Sequence, residues 1–304
     1  MLTGAAMTSD ELHSLLDSWL LHLRAERKSP NTLKAYGQGV RRFLLWAEGE
    51  GIEPALTRSV VNAWIASLID GGAEGETIAG WQGAVRRFSA WLAAEGELAT
   101  DQLLGLKRPT VDVKVVPELT DEQIRALLAT CTHKNFHDRR DEAIIRFMVE
   151  TMVRIGEVVS MDKDEVDLST GTAVVRRGKG GKGRRVPFGP QTSRALDRYL
   201  RLRRAHRLAD APNLWLGDRG KTLGYEGAYA TLTRRAARAG LPDDFTPHWL
   251  RHTGAGRWLG AGGSEGGLMA VGGWARREMI DRYTRATSEK RAADESRRLN
   301  LGDL

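Results

Sequence analysis

The sequence predicts a mainly α-helical protein in two parts, the second carrying one small β-sheet or hairpin. Three observations lead there. Apolar residues recur at intervals of three and four through residues 9–104, the period of half-buried helices. Residues 105–117 abandon that period and carry Pro109 and Pro117, which reads as an extended linker. Beyond it the helical period returns, broken between Thr172 and Phe188 by two β-like runs around a glycine-rich turn.

Residues 1–8 read as a disordered lead-in, with Met7 an alternative start. Leu12, Leu15, Leu16, Trp19 and Leu23 then keep helical spacing. Ser29-Pro30-Asn31 supplies a cap and a first-turn proline for a second helix. Its apolar stripe is Leu33, Tyr36, Val40, Phe43, Leu44 and Ala47, and Gly49 and Gly51 stop it. Val60, Val61, Trp64, Ile65 and Leu68 mark a third helix, stopped at Gly71-Gly72. The fourth is the most regular, with Ile78, Trp81, Val85, Phe88 and Leu92 in register. Residues 9–104 are therefore expected to form a helical bundle domain. On it Lys34, Arg41 and Arg42 share one helix face, and Arg86 and Arg87 lie on another helix. Such a surface suits a phosphate backbone, and an ordinary solvated face is the alternative. The linker adds Lys107 and Arg108.

Residues 118–304 are expected to form the second domain. Thr120-Asp121-Glu122-Gln123 has the form of a capping box. A longer helix runs from about Asp138 to Thr151, with Ile144, Ile145, Phe147 and Met148 as its apolar residues. Thr172–Arg177 and Arg184–Phe188 flank Gly178-Lys179-Gly180-Gly181-Lys182-Gly183 as a hairpin. Helices resume over about 190–208, 225–239, 247–259 and 276–298. The glycines at 260, 262, 263, 266, 267, 272 and 273 make the region between the last two soft for a helix.

The chain has 304 residues, enough for two cores, and its 41% hydrophobic and 28% charged content is that of an ordinary folded protein. No apolar run reaches the roughly 20 residues of a membrane span, which favours a cytoplasmic protein. The single Cys131 excludes an intramolecular disulfide and an all-cysteine metal cage. Net charge is +7, unevenly placed: residues 1–106 hold 9 Lys/Arg against 13 Asp/Glu, and the remainder 37 against 26. A polyanionic partner fits this balance, and so does a solvated basic surface.

Several residues in the second part carry chemistry. Arg154 lies in the apolar string Thr151-Met152-Val153-Arg154-Ile155-Gly156-Glu157, where a guanidinium needs an anion; Glu157, three residues on, is the structural candidate. The lysines at the hairpin tip lack Walker spacing and stand between strands, so a nucleotide site is rejected. A lysine there suits proton delivery, and an exposed turn is the alternative. His248 and Arg251 share a helix face and suit one phosphate, with His252 a packing neighbour. Trp274 alone reads as core, and Tyr283, between Arg282 and Arg285, as a partly exposed helix residue. No spacing of His, Asp or Glu suggests a metal site.

Taken in order, Arg154, Lys179, His248, Arg251, Trp274 and Tyr283 resemble the catalytic set of the tyrosine recombinase (phage integrase) family. The resemblance spans nearly the whole chain. The first bundle, including Ser29-Pro30-Asn31-Thr32-Leu33-Lys34-Ala35-Tyr36, is similar to the family's SAM-like core-binding domain, and the remainder to its α+β catalytic domain. Two departures stand out. Met152-Val153 replace the common Gly-Leu before the arginine, and Trp274 replaces the usual histidine, as in Cre-like members.

The resemblance implies a simple two-domain integrase without an extra arm-binding domain. Arg154 and Arg251 would hold the scissile phosphate, with His248 and Trp274 beside it and Glu157 in support. Tyr283 would attack to give a 3'-phosphotyrosine link, and Lys179 would protonate the leaving 5'-oxygen. No cofactor is implied. The partner would be a double-stranded DNA attachment or core site, bound by a homotetramer that passes through a Holliday junction. Lys34, Arg41, Arg42, Arg86, Arg87, Lys107, Arg108 and Lys182 would contact it, with an accessory DNA-bending or directionality factor as a further partner. A C-terminal tail with Ala292, Leu299, Leu301 and Leu304 would dock on a neighbouring protomer. The alternatives are a Xer-like chromosome-dimer resolvase, a type IB topoisomerase and a DNA-binding regulator that does not cut.

Overall fold

Side-chain caps decide where the first helices start. Thr8 makes a reciprocal capping box with Glu11, and α1 runs Ser9–Ala25. The Ser29 hydroxyl accepts from the Thr32 N–H, Pro30 fills the first turn, and α2 runs Pro30–Gly49. Thr57 caps α3, Arg58–Asp70, and α4 follows at Gly75–Ala94. The computed structural model describes residues 7–110, 117–176, 183–218, 220–280, 292–293 and 296–297. It divides into two units, Met1–Val113 and Lys114–Leu304.

The apolar stripes read from the sequence converge in the first unit. Trp19, Phe43, Trp64 and Phe88 are at most 1% exposed. Trp19 meets Phe88 at 5.3 Å and Phe43 meets Trp64 edge-on at 5.3 Å. Each such side chain, fully buried, contributes on the order of 1.5–3 kcal/mol. α2 and α4 cross closely because Gly39 has no side chain: a Cβ there would lie 2.8 Å from that of Ala84. The expected linker at 105–117 is held to the bundle at its start, where Gln82 Nε2 donates to the Lys107 carbonyl at 3.0 Å. Its residues 111–116 lie outside the described residues.

In the second unit the Thr120–Gln123 capping box opens α5, Asp121–Ala129. α6 spans Phe136–Thr151, and α7, a short helix at Ile155–Val159, follows after one sharp turn. Strands β1 (Val166–Asp167), β2 (Thr172–Val175) and β3 (Arg184–Pro187) form an antiparallel sheet in that order, with Ala173 opposite Val186 and Val175 opposite Arg184. The two-residue β1 is too short to show a period and went unread in the sequence. The hairpin tip at 177–182, with Lys179 and Lys182, lies outside the described residues.

α8 spans Pro190–Arg203, ending before the expected 208. Arg203 is the reason. Its guanidinium, nearly buried, donates to the carbonyls of Ala209, Ala211, Asn213 and Leu214 and folds the chain back over the helix end. α9 is Tyr225–Arg238 and α10 His248–Gly260, close to expectation. Arg235 on α9 pairs with Asp138 at 2.7 Å and Asp141 at 2.8 Å on α6, tying the two helices.

The soft glycine-rich region holds a helix, α11 at Glu265–Gly272, because Ser264 caps it and Leu268 and Val271 are buried. One reading needs correction. The helix expected from 276 opens as a 3-10 turn at Arg277–Met279, and residues 281–291 lie outside the described residues. No helix among the described residues is long and apolar enough to cross a membrane.

Candidate active site

The site is built on two turns and the start of one helix. The first turn is the junction of α6 and α7. α6 ends because Met152 adopts φ 55° and ψ 25°, the left-handed conformation that usually calls for glycine. The turn places Arg154 at the cap of α7. Its backbone N–H donates to Glu157 Oε2 at 2.9 Å, and its Nη1 lies 3.3 Å from Glu157 Oε1. The expected pair therefore exists, but Glu157 has a stronger partner. Arg184 of β3 donates Nη1 and Nη2 to its two oxygens, each at 2.9 Å. The Arg154 guanidinium is thereby only lightly engaged by Glu157, and its side chain remains 36% exposed.

The second turn closes α11. Gly273 takes φ 69°, and its N–H and that of Trp274 both donate to the Met269 carbonyl. Trp274 folds back on the helix so closely that a Cβ on Gly272 would lie 1.9 Å from its ring. The indole is also covered by Arg251, whose Cζ lies 4.0 Å from the ring centroid. Arg251 is 1% exposed, and its Nη1 also donates to the Met152 carbonyl. The left-handed turn thus aims a backbone oxygen at one arginine and presents the next arginine two residues later.

His248, the first residue of α10, completes the cluster. Its ring packs edge-on against His252 at 4.8 Å. Partial burial of the ring, then the charges of Arg251 and Arg154, hold its pKa below the ordinary value of 6.5. The imidazole is therefore neutral at pH 7 and able to accept a hydrogen bond or a proton. Burial alone would raise the Glu157 carboxyl, but the Arg184 hydrogen bonds, the Arg154 N–H and both guanidinium charges outweigh it and hold it ionised. Two arginines and a histidine thus lie close enough for both guanidinium charges to act on the imidazole, an arrangement able to hold an anion. No group of three His, Cys, Asp or Glu among the described residues is placed to hold a metal.

The structure therefore brings together Arg154, Glu157, His248, Arg251 and Trp274. Lys179 and Tyr283 lie outside the described residues. The chain leading to Tyr283 is anchored three residues earlier by Ile280, which is fully buried. Arg184 was missed in the sequence, although strand alternation points to it: it shares a face with buried Val186, while its neighbour Arg185 is exposed.

Comparison with known proteins decides the family. The model of the phage integrase family matches residues 117–290, and that of the phage integrase N-terminal SAM-like domain matches residues 16–96. The chain belongs to the phage integrase family. This tyrosine recombinase is 31% identical to tyrosine recombinase XerD of Corynebacterium glutamicum over 90% of this chain and 94% of the relative. It is 30% identical to tyrosine recombinase XerC of Nitrobacter winogradskyi, with 95% and 94% covered. Its fold matches the Tn1549 transposon integrase in complex with transposon right-end DNA at TM-score 0.75, 19% identity, and 96% and 99% coverage. A lambda integrase dimer bound to a core site matches at TM-score 0.70, 17% identity, and 89% and 94% coverage. The recombinase is thus an enzyme of site-specific recombination with the family's two-part fold.

The basic residues expected to meet DNA in the first unit are partly engaged within it. Lys34 is exposed. Arg42 lies 5.2 Å over the Trp81 ring, and Arg87 lies 5.2 Å over Tyr36, so each reaches across the α2–α4 pair. Arg41 sits 3.7 Å from Asp17, Arg108 pairs with Glu76 at 2.5 Å, and Arg86 is half-buried.

Proposed function

We propose that this recombinase cuts and rejoins double-stranded DNA at an attachment or core site through a 3'-phosphotyrosine intermediate. The observation that carries the reading is the clustering of Arg154 and Arg251 about His248, with Trp274 stacked on Arg251. In-line attack on a phosphodiester increases charge on its non-bridging oxygens. Preorganised guanidinium donors answer that charge without reorganising, which is the largest catalytic contribution at most such sites. Arg154 and Arg251 take this role. Neutral His248 holds a non-bridging oxygen or moves the phenolic proton, and Trp274 keeps Arg251 in plane by packing, having no group able to act as acid or base.

Tyr283 supplies the nucleophile. Its phenolic oxygen forms the bond to phosphorus as the bond to the 5'-oxygen breaks, and Lys179 gives that oxygen its proton. The reverse reaction with a different 5'-hydroxyl completes the exchange. Since the phosphotyrosine link retains the energy of the phosphodiester, the cycle draws on neither ATP nor metal. Four protomers holding two DNA sites and passing through a Holliday junction complete the reading, with Lys34, Arg41, Arg42, Arg86, Arg87, Lys107, Arg108 and Lys182 along the backbone.

Incubation with a nicked duplex that traps the covalent intermediate tests this. A protein–DNA adduct in the wild type, absent in Tyr283→Phe while binding persists, is the expected result. Binding without any adduct would instead indicate a regulator that does not cut. Within the same chemistry, Trp274 at the position of the usual histidine favours a mobile-element integrase. The XerD and XerC relatives favour a chromosome-dimer resolvase as the second reading. An attachment site in the DNA flanking the gene would decide for the integrase.

A further inference from the structure

We propose that Arg184 is a positioning residue for strand cleavage: it fastens the turn that carries Arg154 to the turn that carries Trp274, and so sets the spacing of the two. This rests on the reading of the site as the one that cleaves DNA.

The placement comes first. Arg184 opens β3, paired with Val175, and strand alternation turns its side chain inward, leaving it 13% exposed. Its planar fork is used on two sides. Nη1 and Nη2 hold the Glu157 carboxylate at 2.9 Å each, and Nε donates to the Val271 carbonyl at 2.7 Å. Glu157 in turn accepts the Arg154 N–H at 2.9 Å. On the other side the guanidinium lies flat against Gly273, where a Cβ would stand 2.9 Å from its Cζ. One rigid group therefore spans the first turn of α7, at Glu157, and the last turn of α11, two segments far apart in the sequence.

The consequence for the site is geometric. Arg251 is held between the same two turns, by the Met152 carbonyl and the Trp274 ring. If the two turns drift apart, Arg251 cannot keep both contacts, and the spacing of Arg154 from Arg251 changes with it. A lysine in place of Arg184 retains the charge but has no fixed fork with which to serve a carboxylate and a carbonyl together.

The test compares wild type, R184A and R184K under single-turnover conditions at saturating protein. The probe is a nicked duplex selected by binding from a random-sequence pool. The expected result is a fall in the cleavage rate constant of about 10- to 100-fold in both variants, with the half-saturating protein concentration within about twofold of wild type. The acid limb of the rate–pH profile moves upward in R184A, where Arg154 alone is left to offset the burial of Glu157, and less in R184K. A wild-type rate constant in either folded variant overturns the proposal. So does a loss confined to the fraction of reactive protein, which would make Arg184 a folding residue only, as would failure of both variants to fold. A wild-type protein that binds the probe but forms no adduct overturns the cleavage reading itself, whereas normal cleavage by R184K alongside wild type overturns the positioning role alone.

Discussion

His248 shows how neighbouring charge sets the state of a single side chain. Ring burial and the cations Arg251 and Arg154 hold its folded-state pKa below 6.5, so the native state resists protonation there. The unfolded chain then binds the proton first as the pH falls. Stability is accordingly highest above about pH 6.5, declines as the pH drops through that value and levels off below the depressed folded value. A phosphate between the arginines opposes this shift, because a nearby anion favours the imidazolium. Thermal melts from pH 7.5 to 5.5 should therefore show a decline in free protein that His248→Asn removes and bound DNA offsets. A decline of the same size in His248→Asn would exclude the ring as its source. Met152 teaches a second lesson at this scale. Its departure from the usual glycine was visible in the sequence, but the left-handed turn it occupies, and the carbonyl that turn aims at Arg251, were not.

Between elements, α10 matters most, because its first turn carries His248 and Arg251 and its middle packs on α6. The packing depends on one absent side chain. A Cβ at Gly254 would lie 2.2 Å from the Val149 carbonyl oxygen, a backbone atom that cannot step aside. For Gly256, two residues on, the nearest atoms are those of the Glu118 carboxylate, the end of a flexible and exposed side chain. Gly254→Ala should therefore cost about 1–3 kcal/mol in denaturant unfolding and slow cleavage, since moving α10 from α6 strains the Arg251 bond to Met152. Gly256→Ala should stay within about 0.5 kcal/mol of wild type. Equal effects would mean that the helix contact is not what Gly254 provides. The strongly periodic helices were legible in the sequence. α11 read only as soft for a helix, because Gly266, Gly267 and Gly272 make up three of its eight positions, and burial of Leu268 and Val271 decides its state.

Across the whole molecule, the basic surplus lies beyond residue 106, so the expected phosphate contacts of the first unit rest on few residues. They are not equivalent. Lys34 is exposed, whereas Arg87 also holds Tyr36 and the Gly83 carbonyl. Lys34→Ala should weaken DNA binding and reduce the salt slope by about 1 without lowering the melting temperature. Arg87→Ala should lower both affinity and melting temperature. Wild-type affinity and slope in Lys34→Ala would remove that face of α2 from the DNA contact.

The sequence alone determined the helical bundle, the β2–β3 hairpin and the family, because short-range period, caps and ordered motif residues are local properties of a chain. It also put Arg154, His248, Arg251 and Trp274 forward as a set. Only the tertiary structure decided how they meet: Arg251 between the Met152 carbonyl and the indole, and Glu157 given to Arg184 more than to Arg154. Those are competitions among distant groups for the same partner. Spacing along the chain records who is near in sequence, and the winner is set by which turns the folded core brings together.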